Sequence, residues 1–431
     1  MHPFGSHVLR CYYKQTGWNE DNLYANLTRS SNAILDFSVP VGLHLSLSKS
    51  PNGLFNTSYS MTTLPSLSGS VGYIFTSCPL SLEGSDTVRF KDMIDRFKVY
   101  TYPRRPVGKE QEWLAGERVD KRDYLLYGRL YLPTRRLDAL YSTRLSATMQ
   151  AVVAAISEPP STVPLDLRAK SNGNAMFSLQ HDVGKWCTEY TYSAEDSMWG
   201  LRVLHNFGRL GVYPPREESA AVMNRPKRID EEDAVDGGLQ GRVSAGAEVY
   251  FSAKEKSAGV STGVRFSTVP DATPPSYQIT NSMSLPSAPP LLSKSSQPPT
   301  TVTALFNPML GHISAAYAAR VSSDLSLASR FAFNVYSYQS EWTMGAEWWV
   351  RRATSSKEDS DGVPYVPDAH LYNDQVHGVI KARASTNNDI SLMWEGKLRN
   401  MLVSLGIVAD LSRAKPIRAI GLDVSYFSSG Q

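Results

Sequence analysis

Period-2 alternation over strand-length stretches is the feature that most restricts this chain, and it is clearest between Arg399 and Gln431. There Met401, Val403, Leu405, Ile407, Ala409 and Leu411 are apolar, separated by the smaller and more polar set Leu402, Ser404, Gly406, Val408 and Asp410. After a break at Ser412 to Pro416, Ile420, Leu422, Val424 and Tyr426 alternate with Gly421, Asp423 and Ser425. Successive side chains of a strand point to opposite faces, so each run makes a ribbon with one oily and one wetter side. Two in series predict a hairpin. Such a hairpin can end a soluble sandwich or close a membrane barrel.

The same rhythm recurs along the chain, from Val41 to Leu47, Leu54 to Met61 and Ser70 to Cys78, and again in the second half, as from Arg242 to Phe251 and from Val376 to Ala384. The longest case is Ala139 to Ile156. Tyr141, Leu145, Ala147, Met149, Ala151 and Val153 fall on one side and are the candidate lipid-facing row. Ser142, Arg144, Ser146, Thr148 and Gln150 fall on the other and are the candidate lumen-facing row. Counted together, the runs predict roughly eighteen strands of about ten residues, the length a tilted membrane strand needs.

No window reaches the ~18 uncharged apolar residues of a membrane-spanning helix. A propeller would repeat every ~40 to 50 residues, and no internal repeat is present. Sandwich strands run ~5 to 6 residues, shorter than many here. Closure removes the sheet edges that lipid cannot satisfy, which favours a transmembrane barrel. Four polar stretches interrupt the rhythm, at 84–121, 214–240, 270–299 and 351–372. The first has helical character from Lys91 to Lys98, and the Pro- and Ser-rich third is expected to be disordered.

Residues 1–40 read as a helical leader ahead of one barrel spanning 41–427. Phe4, Val8, Tyr12 and Tyr13 recur at roughly helical spacing, and Asn19 can cap a short helix opened by Glu20 and Asp21. The leader could dock on a surface or plug the barrel; its sequence is compatible with both.

Composition closes off other classes. The formal net charge is +3 without a strongly basic stretch, which gives no reason to expect nucleic acid as a partner. Cys11, Cys78 and Cys187 are far apart and form no CxxC pair, so neither a zinc site nor a disulfide framework is expected. The N-terminus lacks a signal-peptide core, and Glu20 and Asp21 are at odds with a presequence. HExxH, GxSxG and GxxxxGK[ST] do not occur, so an enzyme is not expected, nor any cofactor.

Gly17-Trp18-Asn19-Glu20-Asp21-Asn22-Leu23-Tyr24, Asn26-Leu27, Leu35-Asp36-Phe37 and Gly42-Leu43 resemble the opening of the fungal mitochondrial distribution and morphology protein 10 family. Gly421-Leu422-Asp423-Val424-Ser425-Tyr426-Phe427 is similar to the family's last strand. The resemblance implies an all-β fold, a mitochondrial outer-membrane barrel of the porin type with about nineteen strands. It also implies a subunit of the ER–mitochondria encounter structure, a tether serving mitochondrial shape, inheritance and phospholipid exchange. Its implied partners are ER-anchored and lipid-binding subunits, membrane lipids, translocase components and the sorting and assembly machinery. In the family's insertion signal Gly421, Val424 and Tyr426 fill the glycine and hydrophobic places; the polar place falls on Ala419, with Arg418 one residue early. The alternative function is a metabolite channel lined by Arg144, Gln150 and Arg383.

Overall fold

The alternating runs become hydrogen-bonded ladders, and the ladder closes on itself. The computed structural model describes residues 3–82, 84–85, 87–100, 103, 105–106, 112–114, 117–119, 122–159, 173–208, 241–268, 298–351 and 376–429. Its strands begin with β1 (Gly42–Asn52), β2 (Phe55–Leu64) and β3 (Ser68–Thr76). The short β4 (Glu112–Leu114) and β5 (Glu117–Val119) pair only with each other. The wall resumes with β6 (Tyr124–Leu132), β7 (Leu137–Arg144), β8 (Met149–Ser157), β9 (Gly173–Asp182), β10 (Trp186–Ser193) and β11 (Met198–Asn206). Then come β12 (Gly241–Ser252), β13 (Ser257–Thr268), β14 (Thr300–Asn307), β15 (His312–Arg320) and β16 (Leu325–Asn334). The last are β17 (Ser340–Arg351), β18 (Val376–Ser385), β19 (Asp389–Leu398), β20 (Met401–Asp410) and β21 (Ile417–Ser429).

Nineteen strands form one sheet, each antiparallel to the next, and β1 pairs with β21 in parallel. An odd number of strands in an up-and-down meander leaves the first and last running the same way, so closure has to be parallel. The four long connections leave β3, β11, β13 and β17, which are the third, ninth, eleventh and fifteenth wall strands. All four therefore open at the same end of the barrel. Residues 214–240, 270–297 and 352–372 lie outside the described residues, whereas most of 84–121 is described.

Two sequence expectations are corrected here. Ala139 to Ile156 is a hairpin, β7 and β8, rather than one strand; Leu145 N–H and Ser146 N–H both donate to Met149 O across the turn. The period-2 phase survives because four residues, an even number, separate the two strands. The second correction is β6, which the alternation did not reveal. Its inner side carries Leu125 and Tyr127, both buried in the core cluster under α1, so both faces read as apolar.

The outward face is apolar right around the wall. Leu47, Tyr59, Val71, Leu130, Phe177, Tyr190, Trp199, Val249, Tyr317, Phe331, Leu392 and Ile420 are all exposed on it. Charged side chains such as Arg129, Glu189, Arg202, Arg265, Glu347 and Lys381 fall on the buried, inward row. Among the described wall strands only Lys49 and Arg418, toward strand ends, carry charge outward. Trp342 and Trp348 lie on the exposed face, whereas Trp349 turns inward, 5 % exposed, and donates to Glu347 Oε1 at 2.8 Å.

The leader fills the inside. Helix α1 (Pro3–Thr16) presents Phe4, Val8 and Tyr12, and Asn19 Oδ1 caps a 3-10 turn at Glu20–Asn22 by accepting from Asp21 N–H. A second such turn, Tyr24–Asn26, leads into α2 (Arg29–Leu35), which packs on β15 to β18. The stretch 78–100 also folds inward. It contains α3, only Phe90–Met93, in place of the longer helix expected from Lys91 to Lys98. Beyond α3 the backbone stays extended because the wall takes up its polar groups: Phe97 N–H donates to Glu347 Oε2, and Lys381 Nζ to Asp95 O.

Candidate functional site at the seam and in the lumen

At the seam, β1 and β21 run in register from Gly42 opposite Gly421 to Ser50 opposite Ser429. Ser46 Oγ donates to Ser425 Oγ at 2.7 Å across the inner side. A Cβ on Gly421 would lie 2.1 Å from Pro40 O, so only glycine admits the end of the leader here. The close approach at Gly421 is thus to the end of the leader at Pro40 and Val41. Val424 sits between Leu45 and Val403, and Tyr426 between Leu47 and Met401, in the outward row. The next residue, Phe427, is turned inward and stacks on Phe4 with ring centroids 5.1 Å apart.

In the β7–β8 hairpin, Ser142, Arg144 and Gln150 are buried on the inward row, and Tyr141, Ala151 and Val153 share the outward row. Met149 begins β8 on that outward row. Leu145, Ser146, Ala147 and Thr148 lie in the turn and belong to neither face of the wall. The sequence placed them in a continuous strand because an even-numbered turn does not disturb the alternation.

The lumen is where most polar side chains converge, and they converge on the leader. Asn22 Nδ2 donates to Asp182 Oδ1 at 2.7 Å and to Gly184 O at 3.2 Å. Asn206 Nδ2 donates to Asn22 Oδ1 at 2.6 Å, and Ser244 Oγ to Asn206 Oδ1 at 2.7 Å. Tyr24 OH meets Ser261 Oγ at 2.9 Å, its ring lying over Gly246, where a Cβ would come within 2.6 Å of it. Arg330 grips both Asp36 oxygens at 2.7 and 2.8 Å, a bidentate pair of the strong kind. The alternation of the strands marks these wall residues as inward-facing but not as partners of the leader.

The residues proposed to line a channel are engaged in the same way. Arg144 lies over the Trp18 ring at 5.7 Å and donates to Ala147 O. Arg383 donates to Leu35 O at 3.0 Å, and Gln150 is 1 % exposed. On the plug itself, burial and then the nearby Arg10 guanidinium hold His7 down at about 4, with Asp92 opposing. Lys91 is lowered to about 8, first by burial and then by Arg96, Arg351 and Arg320. No cluster of three or more metal-binding side chains occurs among the described residues.

With this geometry in view, comparison with known proteins is direct. The chain matches the family described as Mitochondrial distribution and morphology protein 10 over residues 1–366 and 365–429. It is 69 % identical over 439 residues to the protein of that name from Laccaria bicolor, covering 100 % of both chains. It is 40 % identical over 522 residues to that of Cryptococcus neoformans var. neoformans serotype D, covering 99 % of this chain and 100 % of the relative. It is 36 % identical over 436 residues to that of Phaeosphaeria nodorum, with the same coverage. This closed nineteen-stranded barrel with a helical leader inside belongs to the mitochondrial distribution and morphology protein 10 family.

Proposed function

We propose that this protein is a non-enzymatic barrel of the mitochondrial outer membrane that works through its wall, rim and long loops. In this reading it is a subunit of the ER–mitochondria tethering complex, serving mitochondrial shape and inheritance and phospholipid exchange. It also acts with the sorting and assembly machinery late in the assembly of barrels and of the translocase. The observation that carries the proposal is the occupied lumen: the leader and residues 78–100 use the inner polar groups that a metabolite path would need. The outer row, apolar but for Lys49 and Arg418 toward strand ends, supports a wall in lipid, since a charge there would cost ~2–4 kcal/mol at the bilayer midplane.

Three measurements test this reading. Carbonate extraction of mitochondria should leave the protein in the membrane fraction. Purified protein in planar bilayers should show no stepwise conductance. A tagged chain should recover ER-anchored subunits and the sorting machinery on native gels. Steady conductance by the intact chain without recovered partners would replace the tether with the channel. In the same system, Tyr426→Asp should reduce capture of the precursor by the insertion machinery, as expected if Gly421, Val424 and Tyr426 are read as a signal.

A further inference from the structure

The β1–β21 pair is the weakest junction of the wall on three counts. Its ladder is parallel, slightly less stable per residue than the antiparallel pairs beside it. Every other neighbouring pair is consecutive among the wall strands, whereas these two are joined by no turn, so pairing them carries the largest loop-closure cost. From Ser46 to Ser50, β1 gives only Ser46, Ser48 and Ser50 to the inner side, which leaves little apolar area to bury. The seam is nevertheless crossed from within at both ends. At the short-turn end the Pro40 carbonyl lies against Gly421. At the other end the chain leaving β3 passes across it. Leu80 N–H donates to Gly53 O in the β1–β2 turn at 2.8 Å. Ser429 Oγ, at the end of β21, donates to Leu82 O at 2.9 Å. Ser85 N–H donates to Phe427 O at 3.1 Å, and Ser85 Oγ is within donating reach of Phe427 O, at 3.0 Å, and of Asn400 O in the β19–β20 turn. All three residues are buried, and the two leucines share a cluster with Phe4 and Phe427.

We propose that the stretch bearing Leu80, Leu82 and Ser85 is a clasp that holds the seam shut at its long-connection end, so that β1 and β21 part there only when it lifts. The β20 ladder stops at Met401 opposite Tyr426, three residues before the end of β21. Beyond that point β21 has β1 on one side and the clasp, in place of a strand, on the other. A strand end with one neighbour exposes unpaired backbone groups and frays, which the bonds from Ser85 prevent. Because Leu80 and Leu82 pack in the cluster that also seats α1, the clasp ties the seam to the docked leader. This rests on the closed barrel alone and is independent of whether the protein belongs to the tethering complex.

The test is peptide-resolved hydrogen exchange on full-length protein in a non-ionic detergent, with β10 and β11 as the internal reference. Ser85→Pro removes both the N–H and the hydroxyl. It should speed exchange in peptides covering 46–50 and 426–429 roughly tenfold, as the loss of a hydrogen bond or two would, and leave β10 and β11 unchanged. Ser85→Ala, which keeps the N–H, should give a smaller rise in the same peptides. Ser46 and Ser425 face each other across the ladder, so Ser46→Cys with Ser425→Cys can be oxidised to a covalent link over the seam. In the Ser85→Pro background that link should return both peptides to wild-type exchange, and reducing it should bring the fast exchange back. Unchanged exchange in both Ser85 variants would mean that the ladder holds by itself. A rise of equal size in β10 and β11, or one that the oxidised link does not reverse, would equally overturn the clasp.

Discussion

The leader is held by two patches of the inner wall that differ in kind. Under α1 the wall is oily: Phe4, Val8 and Tyr12 meet Ile74, Leu125, Tyr127 and Phe427 in one buried cluster. Under the 3-10 turn it is polar: Asn22 is bound into a network with Asp182, Gly184, Asn206 and Ser244. The first patch is non-directional and tolerates small shifts, because burial energy scales with area. The second fixes position, because each buried donor has one acceptor and an unmade bond leaves a costly orphan. Oil holds the helix in the lumen, and the network sets its register.

The largest effect should appear where the leader joins the wall. Gly421→Leu pushes a side chain against the Pro40 carbonyl, and neither backbone can yield without opening the β1–β21 ladder. The expected cost is about 3 kcal/mol, at the top of the overpacking range. Import of radiolabelled precursor followed by native gels over time should show slow maturation. Normal timing would mean that the seam gives more readily than its geometry implies.

Next comes Val8→Asp, which buries a carboxylate in the apolar patch and should free α1. The cost is about 2–3 kcal/mol, a core-disrupting change. Limited proteolysis should then cut before residue 17 while the wall stays intact. Asn22→Ala should cost about 1–3 kcal/mol, because Asp182 and Asn206 lose a buried partner. In a cycle with Asn206→Ala the two changes should be markedly non-additive, as members of one network are. Additive behaviour there, or equal proteolytic sensitivity in Val8→Asp and Asn22→Ala, would break the distinction between the patches.

The smallest effect is set by acid. His7 on α1 titrates near 4 in place against 6.5 when free, so the released leader binds the proton more readily between those values. Stability of the docked leader is therefore full above pH 6.5 and is lost as pH falls toward 4, by roughly 2 kcal/mol after allowing for solvent screening. His7→Leu should abolish this dependence in a proteolysis series from pH 7 to 4. Asn22→Ala should not.

Much of the wall was legible in sequence because its two faces meet opposite surroundings. Met401 to Ala409 and Ile420 to Tyr426 alternate as β20 and β21 do. β6 was illegible for a physical reason: where α1 covers the wall, Leu125 and Tyr127 must be apolar too, and the contrast vanishes. The β7–β8 turn was hidden because it keeps the phase. Of the leader, helix α1 and the Asn19 cap could be read, whereas α2 could not, since its RSSNAIL sequence has weak periodicity and gains its place from contacts with β15 to β18.

The sequence by itself determined a long run of amphipathic strands and a leader with a helical face. Those are properties of neighbours along the chain, and period alone reports them. Whether that leader lay inside or outside, which strand β21 would meet, and which wall residues would bind Asn22 depended on closure. Ring closure joins residues nearly four hundred positions apart, such as Gly42 and Gly421. No local pattern records such a partner, because the physical contact that selects it exists only when the sheet has come full circle.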